Sequence, residues 1–307
     1  MITSIFSKSK PINFIIVFFV TLLTFIVANL KQIEEPINMA FVLKQMALFF
    51  VCFISILVLN FIVEKNNLTQ KNNYETLLLS LFLLTISQVV SNENILYANF
   101  FVLLGLRRII SLRTQTNVKK KLFDAAFWIT IASFFFFWAI LFLLLIFITL
   151  LFYTNNKVRH WLIPFVGMAT VLLIAVCISV ILNNTFLGIF DSFKGVSYDF
   201  SSYNSPQFII AITMLFSFGI WASIFFIKNI KHKKKALRPS FKTILITVII
   251  AFVIIVLAPK KNGSEFLFLL APLAIIITNY IETIQDKWFK ELFLFVIIAL
   301  PFVLLLL

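Results

Sequence analysis

Apolar residues run in blocks of about 15 to 25 along the chain, each ending at a short cluster of Lys, Asn, Ser, Glu or Pro. About 20 apolar residues rise roughly 30 Å as an α-helix, the thickness of a bilayer's hydrocarbon core. The pattern predicts an all-α fold, a polytopic integral membrane helical bundle of about 11 transmembrane helices. No polar stretch is long enough for a soluble domain, so residues 1–307 read as a single transmembrane domain. The first block, Ile12 to Leu30, is too long for a signal-peptide core and lacks a small-residue cleavage site, so it reads as a retained span.

Two segments depart from this rhythm. Phe123 to Tyr153 is almost wholly apolar, with Asp124 its lone charge, and basic clusters flank it on both sides. Two short spans turning near Phe135 to Trp138 keep both clusters on one side, giving a hairpin at about 123–153. Arms of about 15 residues rise only about 22 Å, so the turn must be buried among helices or sit where the membrane is thin. A second short hairpin, at about 77–112, pairs Leu77–Val90 with Ile95–Leu106 across "SNEN" at 91–94. Its second arm gains length by running on to Leu112 with the arginines snorkelling. Gln88, Asn92, Glu93 and Asn94 then lie near or below the outer surface. Polar backbone at that depth is tolerated inside protein or along a wet cavity, which points to an outward-facing hollow above the two hairpins.

Composition agrees: 62% of residues are hydrophobic and 12% charged, against about half and a quarter in soluble domains. The formal charge of +14 would suit nucleic acid in a soluble chain. Here it follows the positive-inside bias, and no nucleic-acid partner is expected. With the N-terminus cytoplasmic, all but five of the 26 basic residues fall in cytoplasmic segments; the exceptions are Lys31, Lys44, Lys194, Lys260 and Lys261. Eleven spans then leave the C-terminus periplasmic. The basic loops suit anionic lipid or an acidic partner, although topology alone accounts for them. Cys52 and Cys177 lie within apolar runs and read as small buried hydrophobes.

Candidate chemistry is sparse. There is no Gly-rich phosphate loop and no HExxH or CxxC metal spacing, so no metal site is expected. Spans show no isolated charge at mid-depth, which argues against a coupled pump. Scarce acids therefore carry weight. Glu34, Glu35 and Glu93 fall at outer turns and are the candidate catalytic residues, as carboxylates able to act as bases. Glu34 and Glu35 precede Pro36, so one of them is equally well explained as negative charge at a helix N-terminus. Lys260 and Lys261 form an adjacent basic pair on the outer side, and Lys44 lies a turn or two into the second span. These three are the candidate lipid-phosphate ligands, since cations at headgroup level suit a lipid phosphate or pyrophosphate.

The opening "MITSIFSKSKPINFIIVFF", the stretch "LRRIISLRTQTNVKKKLFDAAFWITIASFFFFWAILFLLLIFITLLF", and the later "RHWLIPFVG" and "EFLFLLAPLAIIITNYI" resemble an uncharacterised family of polytopic inner-membrane proteins of the Bacteroidota. More distantly the chain resembles the C-superfamily glycosyltransferases that use polyprenyl-phosphate sugars. That likeness implies a catalytic acid in the first outer loop, matched by Glu34 and Glu35, a second acidic turn, matched by Glu93, and a late basic residue holding lipid phosphate, matched by Lys260 or Lys261. It implies glycosyl transfer at the outer face of the inner membrane, with membrane lipid and a polyprenyl-phosphate sugar as partners. Its first outer loop, though, is far shorter than theirs. A non-enzymatic assembly or scaffold subunit fits the sparse chemistry, and a lipid transporter or flippase is a third reading.

Overall fold

The computed structural model describes residues 2–30, 39–153, 157–184, 186 and 195–306. The described residues form helices and turns without a strand. The helices are α1 (Ile2–Phe6), α2 (Pro11–Leu30), α3 (Met39–Asn66), α4 (Tyr74–Thr85), α5 (Glu93–Ile110), α6 (Val118–Phe135), α7 (Phe142–Leu151), α8 (Val158–Asn183), α9 (Pro206–Ile230), α10 (Arg238–Leu257), α11 (Leu267–Thr283) and α12 (Lys287–Leu306). Eight of them, α2, α3, α5 and α8 to α12, are long and apolar enough to cross a membrane. The molecule is an all-α polytopic membrane bundle, and α2 to α12 follow the expected apolar blocks one for one.

The short segments are α4, of 12 residues, and α7, of 10. At 1.5 Å per residue neither rises beyond about 18 Å. Each belongs to an expected hairpin. Between α4 and α5 the chain passes through a tight helical turn, Ser87–Val90, and Asn92 then caps α5 by accepting from the Asn94 and Ile95 amides at 3.1 and 3.3 Å. Between α6 and α7, Phe136 goes extended (φ −143°, ψ 106°), and a tight turn over Phe137–Leu141 reverses the chain.

Shortness goes with centrality. Every residue of α4 is buried, as is every residue of α11 from Leu267 to Ile281. These two helices pack together, with α9 and α10 against α11, and α2, α3 and α12 against α4. Beside them α5, α6 and α8 pack in sequence. Apolar side chains gain little by leaving lipid for protein, so fit and aromatic contact must hold helices together. Many of the 40 phenylalanines serve this: Phe226 stacks on Phe241 at 5.3 Å, and Phe225, Tyr280 and Phe293 form a chain of ring contacts. α8 lies at the periphery, which corrects one expectation: Cys52 is buried, but Cys177 is exposed on the outer flank of α8.

One end of the bundle gathers most of the basic residues, and several of them terminate helices. Arg113 donates to the Lys65 carbonyl and Asn66 Oδ1 at the end of α3 (2.9 and 3.2 Å). Arg238 donates to the Lys231 and Lys233 carbonyls beyond α9 (2.6 and 3.0 Å). Lys121 donates to the Ser111 carbonyl and Thr114 hydroxyl beyond α5 (2.7 and 2.6 Å). Such cations satisfy carbonyls that lack helical partners and oppose the helix dipole. Acids join the same end: Glu282 accepts from the Gln70 amide and Asn72 side chain, and Arg108 pairs with Asp124 between α5 and α6 at 2.9 Å. Glu75, in the first turn of α4, is fully buried, and both its carboxyl oxygens are without a hydrogen-bond partner among the described residues.

The α6–α8 contact sets the width of this side of the bundle. A Cβ on Gly167 of α8 would lie 2.8 Å from the Phe123 carbonyl oxygen, which is rigid backbone. Gly195 has nothing within 4 Å of a Cβ and serves as control. We predict that Gly167→Leu lowers stability by about 1–3 kcal/mol through overpacking, and that Gly195→Ala changes it little. Thermal unfolding in detergent micelles measures both.

Candidate functional site

The end of the bundle opposite the basic one holds a cavity of about 420 Å³. It exists because the two hairpin turns stop short and leave the flanks of α5, α6 and α8 uncovered. Its floor is Thr130 and Ser133 of α6, its aromatic wall Phe134 to Trp138 of the hairpin turn, and its outer flank Met168 and Leu172 of α8. Polar groups ring the rest: Asn92 and Asn94 at the start of α5, and Lys260, Asn262 and Ser264 from the turn between α10 and α11.

That last turn sends its two lysines apart. Lys260 lines the cavity. Lys261 is buried, and its ammonium donates to the Ile255 and Val256 carbonyls at 2.6 and 2.7 Å, closing the C-terminus of α10. Burial pushes the Lys261 pKa down from its ordinary value, with Glu265 acting in the opposite sense. Gly263 follows with φ of +91°, a conformation that favours glycine. The ring of Phe208 would meet a Cβ there at 2.7 Å, so glycine answers both to the backbone and to the packing.

Behind the turn sits a buried clamp. Glu265 is fully buried and its Oε1 accepts a hydrogen bond from the Tyr203 hydroxyl. Burial first, and then the Glu265 carboxylate, pushes the Tyr203 phenol upward, so it stays protonated and donates. Tyr203 also packs on Phe208 at 4.8 Å and on Phe266 at 5.8 Å. This fastens the segment before α9 to the turn that carries Lys260.

Of the residues singled out in the sequence, Lys260 lines the cavity and Lys261 does not. Glu93 stands between two lining asparagines, and its carboxylate pairs with Lys44 at 2.8 Å. That pair is about half exposed (56% and 42%) and is worth about 0.2–1 kcal/mol. The structure therefore brings Lys44, Glu93 and Lys260 to one end of the bundle, with Lys260 on the cavity wall and Glu93 paired to Lys44 outside the lining. Glu34 and Glu35 lie outside the described residues. The described lining contains no carboxylate and one cation. Sequence reading missed Asn262, Ser264 and Thr130 as lining residues. Trp138, within the turn expected near Phe135 to Trp138, also lines the cavity. Its indole N–H is buried and has no acceptor among the described residues.

The two lysines should separate cleanly in stability. Lys261→Met leaves two carbonyls without their donor and is expected to cost about 1–3 kcal/mol. Lys260→Met should change stability by less than about 0.5 kcal/mol. Unfolding midpoints of the two variants in one detergent decide this; equal losses would contradict the division of labour.

No curated protein and no solved structure matches the sequence. A family model does match, over residues 1–306 and so almost end to end. The chain belongs to the family of unknown function DUF6427.

Proposed function

We propose that the protein binds the phosphate-bearing headgroup of a membrane lipid in the cavity beneath its hairpin turns. The observation that carries this reading is Lys260, the one cation among the described lining residues, set among asparagines and opposite a wall of aromatic rings. A lipid headgroup needs an ammonium for its phosphate, neutral donors for its other oxygens, and an apolar wall for the start of its chain. α8 bounds the cavity with Met168 and Leu172 while Leu173 and Ile174 on the same helix are exposed, so lipid lies alongside. In this reading the cavity opens to the periplasmic side of an inner membrane and the basic end faces the cytoplasm, the side on which basic residues concentrate.

Glycosyl transfer from a polyprenyl-phosphate sugar is the second reading, and one observation favours it: Glu93 lies in the chain between Asn92 and Asn94, both of which line the cavity. There, Lys260 would stabilise the departing lipid phosphate while Glu93, Glu34 or Glu35 took the proton of an acceptor hydroxyl. Lys44, paired with Glu93, would hold that carboxylate in place.

Binding of farnesyl phosphate and of farnesol to the purified protein tests the first reading. The phosphate should bind more tightly than the alcohol, and Lys260→Met should erase roughly a tenfold preference. An unchanged preference would overturn the reading. With a polyprenyl-phosphate sugar as donor, Glu93→Gln should leave binding intact and stop transfer; no transfer by the unaltered protein leaves binding as the function.

A further inference from the structure

The basic end carries a second recess that the proposed function does not use. α6 and α8 run side by side in the same direction, and their N-termini frame a cavity of about 550 Å³. Lys119 and Lys120 of α6 line it, with Lys157 just before α8 and Arg159 and His160 in the first turn of α8. These four cations differ from their neighbours. Arg113, Lys121 and Arg238 close helix ends, and Arg108 is paired with Asp124. Lys119, Lys120, Lys157 and Arg159 are exposed, and among the described residues none forms a salt bridge. Like charges held together in one recess repel, and an anion between them relieves that. The two helix N-termini add their own positive potential; Asn117, which precedes α6, gives its first turn no side-chain cap.

The surroundings indicate the source of the anion. Directly along α8 from the recess, Leu162, Phe165 and Val166 are exposed and apolar. Trp161, stacked on Phe147 at 6.1 Å, stands at the junction, where tryptophan anchors helices at the membrane–water boundary. A phosphate held by the four cations would therefore have a strip of hydrocarbon-facing surface next to it. Basic pockets between transmembrane helices at this level suit lipid headgroups.

We propose that the recess between the N-termini of α6 and α8 is a binding site for the phosphate of an anionic membrane lipid. It is separate from the cavity lined by Lys260 and lies at the other end of the same helix pair. A lipid held there would tie the start of α6 to the start of α8, and so support the hairpin whose turn walls the opposite cavity.

Native mass spectrometry of the protein from micelles containing phosphatidylglycerol or phosphatidylcholine tests this. The unaltered protein should retain phosphatidylglycerol in preference to phosphatidylcholine. Two double variants, Lys119→Gln with Lys120→Gln and Lys157→Gln with Arg159→Gln, should each weaken retention roughly tenfold. Lys234→Gln with Lys235→Gln removes the same charge from an exposed loop outside the recess and should leave retention unchanged. Lys260→Met should also leave it unchanged, so this test stands whether or not the proposed function fails. Equal retention by all variants, or an equal loss in the loop variant, would overturn the site. Displacement of the lipid by an excess of inorganic phosphate would overturn its lipid source in favour of the free anion.

Discussion

A backbone amide or carbonyl in hydrocarbon must find its partner within the protein. Most of this architecture follows from how the chain meets that demand where its helices are too short. α4 and α7 rise only part of the way across a bilayer, so their turns fall within the bundle's depth. The α4–α5 turn is settled by the Asn92 cap. The α6–α7 turn is settled by tight-turn hydrogen bonds, including that from the Ala139 amide to the Phe136 carbonyl at 2.9 Å. What remains above them is a hollow, and the turn between α10 and α11 reaches over it with Lys260.

The same demand assigns work to the charged residues. Where helices end, Arg113, Arg238, Lys121 and Lys261 donate to main-chain carbonyls. Basic residues in this chain therefore divide by occupation. Some close helices, Lys44 and Arg108 pair with acids, and others stand with their charge uncommitted among groups that suit an anion. Lys260 is of the last kind at one end, and the cluster around Lys119 and Arg159 is of the last kind at the other.

The apolar blocks already held the helix order, since the lengths of α2 to α12 and the shortness of both hairpins follow from where the Lys, Asn and Ser clusters interrupt them. The hollow was legible for the same reason: arms too short to span force a low turn, and "SNEN" and the Phe135–Trp138 turn mark where. The division between Lys260 and Lys261 was not legible. Adjacent residues in a turn point apart according to backbone angles set here by Gly263 and by the carbonyls of α10, which composition does not encode. Nor were the burials of Glu75 and Glu265, because each sits at the start of an apolar block, where sequence reads exposure and only packing by α11 and its neighbours supplies enclosure. Cys177 erred the opposite way: an apolar run does not tell a lipid-facing flank from a core.

The central claim is that a solvent-accessible recess descends from the Lys260 turn to Thr130 and Ser133 in the last turns of α6. Cysteine accessibility measures this directly, in a background lacking Cys52 and Cys177. The Ser133→Cys variant, altered at the floor of the cavity, should react with a membrane-impermeant thiol reagent from the same side as the Asn262→Cys variant. Ala132→Cys, one residue away and buried, should not react. A Ser133→Cys variant that stays unreactive, or that reacts only from the side opposite the one that labels Asn262→Cys, would contradict the account.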